Sequence, residues 1–278
     1  MLKQIKNTIR DYLIILFFLT GIPYLRYLYL KKTKGPLLRV LVFHDVESKY
    51  HFEKLISFLD KKFNIISSEE FKQNQLSKDK INILLTFDDG YKSWVDNVLP
   101  VLEGKNLKGI FFISSGFIEA GDRGEEKKYL EEKLKLKSDR TPLSWGEVKE
   151  LEDASMEIGG HTVNHVNLAK ISEKEGREEI QKDKKMLEKK LDRKIKFFAY
   201  PFGHSGAVNE NIVELVKNAG YECGFTANIN FSIEDSHEYK LNRDCLDGQN
   251  SLLLNIAKIY GSYDFIKILL NSLIFIKT

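Results

Sequence analysis

From Leu37 onward the chain alternates short apolar runs with stretches whose apolar positions recur at helical spacing. The runs Arg39–Phe43, Ile81–Phe87, Leu107–Ile113, Met156–Gly159, Lys196–Tyr200 and Tyr221–Thr226 are rich in branched and aromatic residues, which predicts strands. Between them, Phe52–Lys62 and Lys92–Glu103 carry a helical pattern. Strands alternating with helices predict βαβ units and a mainly parallel sheet. Ser67-x-x-Glu70, Ser144-x-x-Glu147 and Ser172-x-x-Glu175 read as capping boxes, in which serine and glutamate satisfy free backbone N–H groups at a helix start. The helix after Ser172 sets Ile180, Leu187 and Leu191 on one stripe, and its lysines and glutamates form a solvated outer face. Asp122–Arg140 is a charged insertion with weak helical periodicity, read as a surface excursion. No internal repeat or low-complexity linker interrupts the pattern.

The two ends differ from this body. Tyr12 to Leu25 is apolar and free of charge, preceded by Lys3, Lys6 and Arg10 and closed by Lys31, Lys32 and Lys34. A bilayer-spanning helix needs about 20 apolar residues. The run reaches that length only if Arg26 snorkels to the interface. No small-residue cleavage site follows. The expectation is a membrane anchor or an in-plane helix, with a buried helix as the alternative; basic residues on both flanks leave the membrane side open, with the larger number after the run favouring a cytoplasmic catalytic domain. Leu252 to Ile276 reads as an amphipathic helix broken near Gly261-Ser262. The organisation expected is therefore an N-terminal anchor over 1–35, one catalytic domain over 36–250 and a C-terminal amphipathic helix over 251–278.

Composition narrows the classes. The 278 residues are 42% hydrophobic and 30% charged, enough for one full core and too polar for a wholly embedded protein. A net charge of +3, with basic residues dispersed among acidic ones, gives no nucleic-acid footprint. Cys223 and Cys245 lack CxxC spacing and read as buried thiols. Oligomeric state is not written in the sequence.

The candidate chemistry gathers at strand ends. His44 and Asp45 follow the first run, and Asp88 and Asp89 end the second. His161 follows Met156–Gly160, and Pro201 and His204 follow Lys196–Tyr200. In parallel α/β barrels that end is the catalytic face, because the βα loops converge there. Taken singly the signals are weaker. Asp88-Asp89-Gly90 alone could be a turn. His161-x-x-x-His165 on one helical turn would aim both imidazoles at one metal, and it could equally be two surface histidines.

Three segments carry a resemblance. "ILLTFDDGYKSWVDNVLPVL" resembles the first motif of the polysaccharide deacetylases with a NodB-type domain. "EIGGHTVNH" is similar to their metal-binding motif and "FFAYPFG" to the motif lining their substrate groove. The likeness covers roughly residues 38–245. It implies an α/β fold, a distorted (β/α)7 barrel, that removes acetyl groups from sugars with a divalent metal. It implies Asp88 as general base and Asp89, His161 and His165 as metal ligands, with Tyr200, Pro201, Phe202 and His204 at the substrate groove. Two departures matter. Ala199 stands where many members carry an arginine beside the base, and no late Leu-x-His motif supplies an acid. A subgroup acting on poly-N-acetylglucosamine takes its acid histidine from an early strand. "VLVFHDV" resembles that segment, which makes His44 the acid and His204 its rival. Arg243, in "LNRDC", is the candidate to replace the missing arginine.

The expected activity is removal of N-acetyl groups from an N-acetylhexosamine-containing polysaccharide or lipid-linked saccharide of the cell envelope. Zinc is the expected metal for mixed nitrogen and oxygen ligands, although cobalt, nickel or iron also suit such a set. Tyr91, Trp94, Trp145, Tyr200 and Phe202 are candidate stacking faces for sugar rings. The alternatives are an inactive carbohydrate-binding protein on the same fold, or a relative cleaving a non-sugar amide.

Overall fold

The computed structural model describes residues 2–136, 140–231, 237–247 and 250–266. Eight strands form one sheet: β1 (Leu38–Phe43), β2 (Asn64–Ile66), β3 (Asn82–Asp89), β4 (Ile110–Ile113), β5 (Glu157–Gly160), β6 (Phe197–Ala199), β7 (Cys223–Phe225) and β8 (Asp244–Cys245). The order is β7-β6-β5-β4-β3-β1-β8, every pairing is parallel, and β2 pairs with β3 off this path. Six strands fall on the predicted runs. β2 and β8, three and two residues long, carry too short a pattern to be read from sequence.

The sheet is curled. Beyond β7, Phe225 bridges Leu241, and Thr226 N–H donates to the Leu241 carbonyl at 2.8 Å. Three residues on, β8 pairs with β1 through Leu41↔Asp244 and Val42↔Cys245. The segment Leu241–Cys245 thus laces the two edges of the sheet together. The expected distorted barrel is present as this curled parallel half-barrel.

Strand alternation sorts the core into two layers. Leu38, Val40, Leu84, Ile110, Phe112, Phe197, Ala199, Phe225 and Leu241 pack inside the curl. Leu41, Phe43, Ile83, Leu85, Phe87, Phe111 and Ile113 face the surrounding helices in the larger cluster. The same parity carries Asp88 onto the inner face at the carboxyl end of β3.

The helices are α1 (Leu2–Leu19), α2 (Ile22–Lys34), α3 (Lys49–Lys62), α4 (Ser68–Lys72), α5 (Leu99–Gly104), α6 (Ser115–Asp122), α7 (Glu126–Tyr129), α8 (Trp145–Asp153), α9 (Glu173–Leu191), α10 (Glu210–Asn218) and α11 (Leu252–Ile259). All three capping boxes form, at α4, α8 and α9. Ile180, Leu187 and Leu191 are buried, as the stripe on α9 predicts. The helix expected over Lys92–Glu103 is split into a π-helical turn, Trp94–Val98, and α5. Pro100 has no N–H to continue the ladder, so it sits in the first turn of α5. The charged insertion is helical from Glu126 to Leu134, and residues 137–139 of it lie outside the described residues.

The apolar N-terminus is a bent helix pair. No single described helix is long and apolar enough to cross a membrane, and α1 and α2 meet at 65°. Gly21, at φ 75°, makes the break. Ile14 is fully buried against Leu254, Ala257 and Ile266. Tyr27 packs edge-on to Tyr260 at 5.4 Å. The Arg26 guanidinium reaches Asp264 at 2.8 Å. The C-terminal helix breaks at Gly261 (φ 86°), near the predicted position, and residues 267–276 of it lie outside the described residues.

Candidate active site

Asp88 is buried at the end of β3, paired with Arg243 from the residue preceding β8. Two parallel bonds join them, Nη1 to Oδ1 and Nη2 to Oδ2, each 2.7 Å. The guanidinium also donates from Nε to the Thr226 carbonyl at 2.9 Å. A two-bond fork fixes carboxylate orientation as well as charge. Burial alone would raise the Asp88 carboxyl; Arg243, with His161 and His44, overrides it and holds Asp88 below the usual carboxylate range.

Successive strand residues point to opposite faces. Asp89 nonetheless joins the same site as Asp88, because its φ of 91° departs from extended backbone while it still pairs with Ile113 of β4. Its Oδ1 lies 3.5 Å from His161 Nε2 and 3.4 Å from His165 Nε2. The expected helical presentation of the two histidines is not what forms. Residues 161–165 are a loop, and the rings converge, 5.0 Å apart, because Thr162 (φ 63°) and His165 (φ 48°) are left-handed. Phe202 (φ 64°) adds another such residue at the same mouth. Non-glycine residues in that region cost about 1–3 kcal/mol each, and such strain gathers at functional sites.

The donor set fits a cation. His161 Nδ1 lies 2.7 Å from the Ala199 carbonyl, an acceptor only, so Nδ1 carries the proton and Nε2 presents a lone pair. Asp89 Oδ1 is buried without a hydrogen-bond partner. One ligand atom from each of Asp89, His161 and His165 lies within 4.8 Å of the others. Burial pushes His165 down to about 4, leaving it neutral near pH 7 as a metal ligand must be. Burial opposes ionisation of Asp89, yet the three imidazoles hold it well below the ordinary carboxylate range.

Sequence reasoning missed the support under His161. Asp183, fully buried on α9, accepts the His161 N–H and the Ser115 N–H, each at 3.0 Å. Burial pushes its carboxyl up to about 6. The signal was in the sequence: Asp183 interrupts the apolar stripe Ile180–Leu187, where an acid needs a partner. Gly160 leaves room for this contact, since a Cβ there would lie 2.2 Å from the Tyr221 hydroxyl and 2.9 Å from Asp183 Oδ2.

His44 stands at the mouth of a cavity of about 210 Å³ lined also by Asp45, Ser48, His51, Arg140 and Cys245. Asp45 is clamped there by Ser93 Oγ (2.6 Å) and Arg140 Nε (2.7 Å). Burial would lower His44; Cys245, Asp89 and Asp88 outweigh it and push the imidazole up to about 9. His204 is exposed, and its Nδ1 accepts the Gly206 N–H at 3.1 Å. Among the groove residues, Phe202 is 45% exposed and its ring lies 4.9 Å from His165. Tyr200 corrects the expectation: it is 1% exposed, its hydroxyl donates to the Tyr239 carbonyl at 3.0 Å, and it offers no face to a sugar. Pro201, Tyr91 and Trp94 are buried as well, while Trp145 is partly buried and donates to Glu119 at 2.7 Å.

A buried, arginine-clamped carboxylate beside an Asp-His-His cluster, at the carboxyl end of a parallel sheet, defines a hydrolase centre. The family description "Polysaccharide deacetylase" matches residues 75–224. The chain belongs to the polysaccharide deacetylase family and is a hydrolase of the deacetylase type. The protein YxkH of Bacillus subtilis (strain 168) is 23% identical over 227 residues, covering 77% of this chain and 73% of its own. The poly-beta-1,6-N-acetyl-D-glucosamine N-deacetylase of Staphylococcus aureus (strain MSSA476) is 24% identical over 200 residues, 70% of this chain and 66% of its own length. The fold is that of the Streptococcus pyogenes deacetylase PplD, solved in complex with acetate, at TM-score 0.67 and 20% identity, covering 81% of this chain and 99% of that one.

Proposed function

We propose that this protein is a metal-dependent glycan N-deacetylase acting on an N-acetylhexosamine-containing polysaccharide or lipid-linked saccharide of the cell envelope. The observation that carries the reading is the convergence of the Asp88–Arg243 pair and the Asp89–His161–His165 cluster on one strand end. A likeness in sequence to an enzyme named for poly-N-acetylglucosamine supports the substrate class.

Asp89, His161 and His165 would hold a divalent metal, and zinc suits their donors. Such a metal supplies polarisation of the acetyl carbonyl and a lowered water pKa when bound. Asp88, ionised at neutral pH, accepts a proton from the attacking water. Arg243 keeps both carboxylate oxygens aligned for that transfer. The carbonyl carbon becomes tetrahedral, and the backbone N–H of Phe202 serves as a donor to its oxygen. The C–N bond then breaks, His44 gives its proton to the departing amine, and acetate and a free amino sugar result. An amine leaves poorly without that proton. A raised His44 keeps the imidazole charged and ready near pH 7. The exposed ring of Phe202 is the sugar-facing aromatic, and Pro201 and His204 shape the turn around it.

An inactive binder on this fold is disfavoured, because a binder needs no clamped base beside a ligand set. A non-sugar amide is the remaining rival. Acetate release from N-acetylglucosamine oligomers, measured before and after chelation, tests the proposal. Activity should vanish with the metal and return with zinc. Full turnover in metal-stripped protein would sink the metal, and turnover of small cyclic amides alone would sink the glycan.

The proposed organisation keeps residues 1–35 as a membrane-associating segment, 36–250 as the catalytic domain and 251–278 as a C-terminal segment that begins with α11. Among the described residues, ten of the thirteen exposed large hydrophobic side chains fall between Ile9 and Tyr29. Apart from Tyr24, whose ring lies 5.8 Å from Tyr27, they recur at helical spacing away from buried Ile14 and Tyr27, and Lys31, Lys32 and Lys34 close the segment. An amphipathic pair lying in the membrane plane accounts for this pattern. Leu16→Glu with Leu25→Glu, which removes apolar area and adds charge that anionic lipid repels, should release the full chain from anionic vesicles while leaving oligomer deacetylation intact. Unchanged sedimentation with vesicles would refute it.

A further inference from the structure

Strand β8 is two residues long, yet three consecutive side chains at it each meet a different charged partner. Arg243 points inward to Asp88. Asp244 points to the opposite face, where Arg39 Nη1 binds its Oδ2 at 2.8 Å. Cys245 returns to the inner face by strand alternation. Its place is set by the pairing Val42↔Cys245 and by the Leu246 N–H on the Val42 carbonyl at 3.1 Å. His44 follows Val42 by two residues, on the same side of β1. The imidazole and the thiol therefore line the same cavity from neighbouring strands. Both are open to solvent on one side and crowded by protein on the others. The backbone of His44 is fixed independently, because Trp94 Nε1 donates to its carbonyl at 2.9 Å. What remains free is ring rotation about χ1 and χ2, and Cys245 is the inner-face side chain that the register of β8 sets beside it.

We infer that Cys245 is the positioning residue of the His44 acid, holding the imidazole so that one ring N–H faces the Asp88–Asp89 side where the amine departs. The inference rests on the reading of His44 as the acid. It assigns a role to a thiol that composition alone marks as inert. It also distinguishes the two cysteines: Cys223 is buried on the inner face of β7, whereas Cys245 is exposed.

The test uses the full-length zinc-loaded protein, with metal content checked for each variant. Cys245→Ala should lower kcat on an N-acetylglucosamine oligomer by about 10- to 100-fold. KM and turnover of 4-nitrophenyl acetate, whose leaving group needs no proton, should stay within about threefold. Cys245→Ser, which keeps a hydrogen-bonding atom, should recover much of the loss. The ring resonances of His44, assigned by their disappearance in His44→Asn, should shift in Cys245→Ala. Wild-type amide turnover in Cys245→Ala, or equal losses on amide and ester, would overturn the positioning role. His44→Asn separates the two readings. If it keeps amide turnover, the acid assignment fails and this inference with it. If it loses amide turnover while Cys245→Ala does not, only the Cys245 role falls.

Discussion

β3 and β8 both deliver working groups to the same face, and they are held there by different forces. β3 is eight residues long, buried throughout, and paired along its length with β1, β2 and β4. Its backbone ladder positions Asp88 and Asp89 whatever their side chains do. β8 has two ladder residues, and among the described residues its one strand partner is β1. Its side chains hold it: Arg39, fully buried, binds Asp244 at 2.8 Å and Asp264 at 2.9 Å, and Asp264 also binds Arg26 of α2. Removing a working group from β3 should therefore leave stability intact, whereas removing a charged side chain that anchors β8 should cost stability and activity together.

The largest expected effect tests the β3 half. Asp88→Asn removes the proton acceptor and should cut turnover by about 10²- to 10⁴-fold. Its metal content and melting temperature should stay near wild type. A comparable loss of stability would show that the ladder does not hold the site by itself. Asp244→Ala tests the other half. It deprives buried Arg39 of one partner, a loss of about 3 kcal/mol in denaturant unfolding. Activity should fall with it, because Arg243 is the neighbouring residue. Stability within experimental error of wild type would break the contrast.

Smaller changes sharpen it. Arg243→Lys keeps the charge but loses the fork, removing a charged hydrogen bond of about 1.5–3 kcal/mol, so turnover should drop about tenfold or more. Equal activity would mean that charge alone orients Asp88. The smallest effect concerns pH in metal-free protein. The folded state raises His44 from 6.5 to about 9, so the stabilisation is fully present below pH 6.5 and is lost as pH rises through 9. Solvent at the cavity mouth screens it to about 1 kcal/mol. Unfolding free energies of metal-free protein, from denaturant titrations at pH 6 and pH 9.5, should change by that much more in wild type than in His44→Asn, since the buried Asp183 and Asp244, which also ionise in this range, are common to both.

The contrast also divides what could be read in advance. β3 announces itself as an apolar run ending in Asp-Asp-Gly, and local pattern and burial agree along its whole length. β8 announces nothing, since two residues cannot show alternation. Arg243 was legible only as a candidate, and its contact with Asp88 joins residues 155 positions apart in the chain. The histidine pair was found by spacing, although the helix that spacing implies is absent. Left-handed backbone at Thr162 and His165 does the aiming, and β-branched Thr162 carries no sequence mark of such a conformation.

By itself the sequence determined the alternation of strands and helices, the three capped helix starts, the apolar stripe of α9 and the residue types at the strand ends. Each depends on neighbours within a few positions, where propensity, periodicity and capping act. Tertiary structure alone decided the rest. It curled the sheet so that Leu241–Cys245 laces its edges, put Arg243 on Asp88, set Cys245 against His44, buried Tyr200, and folded the apolar N-terminus into a bent pair against α11. These depend on contacts between residues far apart in the chain, whose geometry is set by packing across the whole sheet and not by any local pattern.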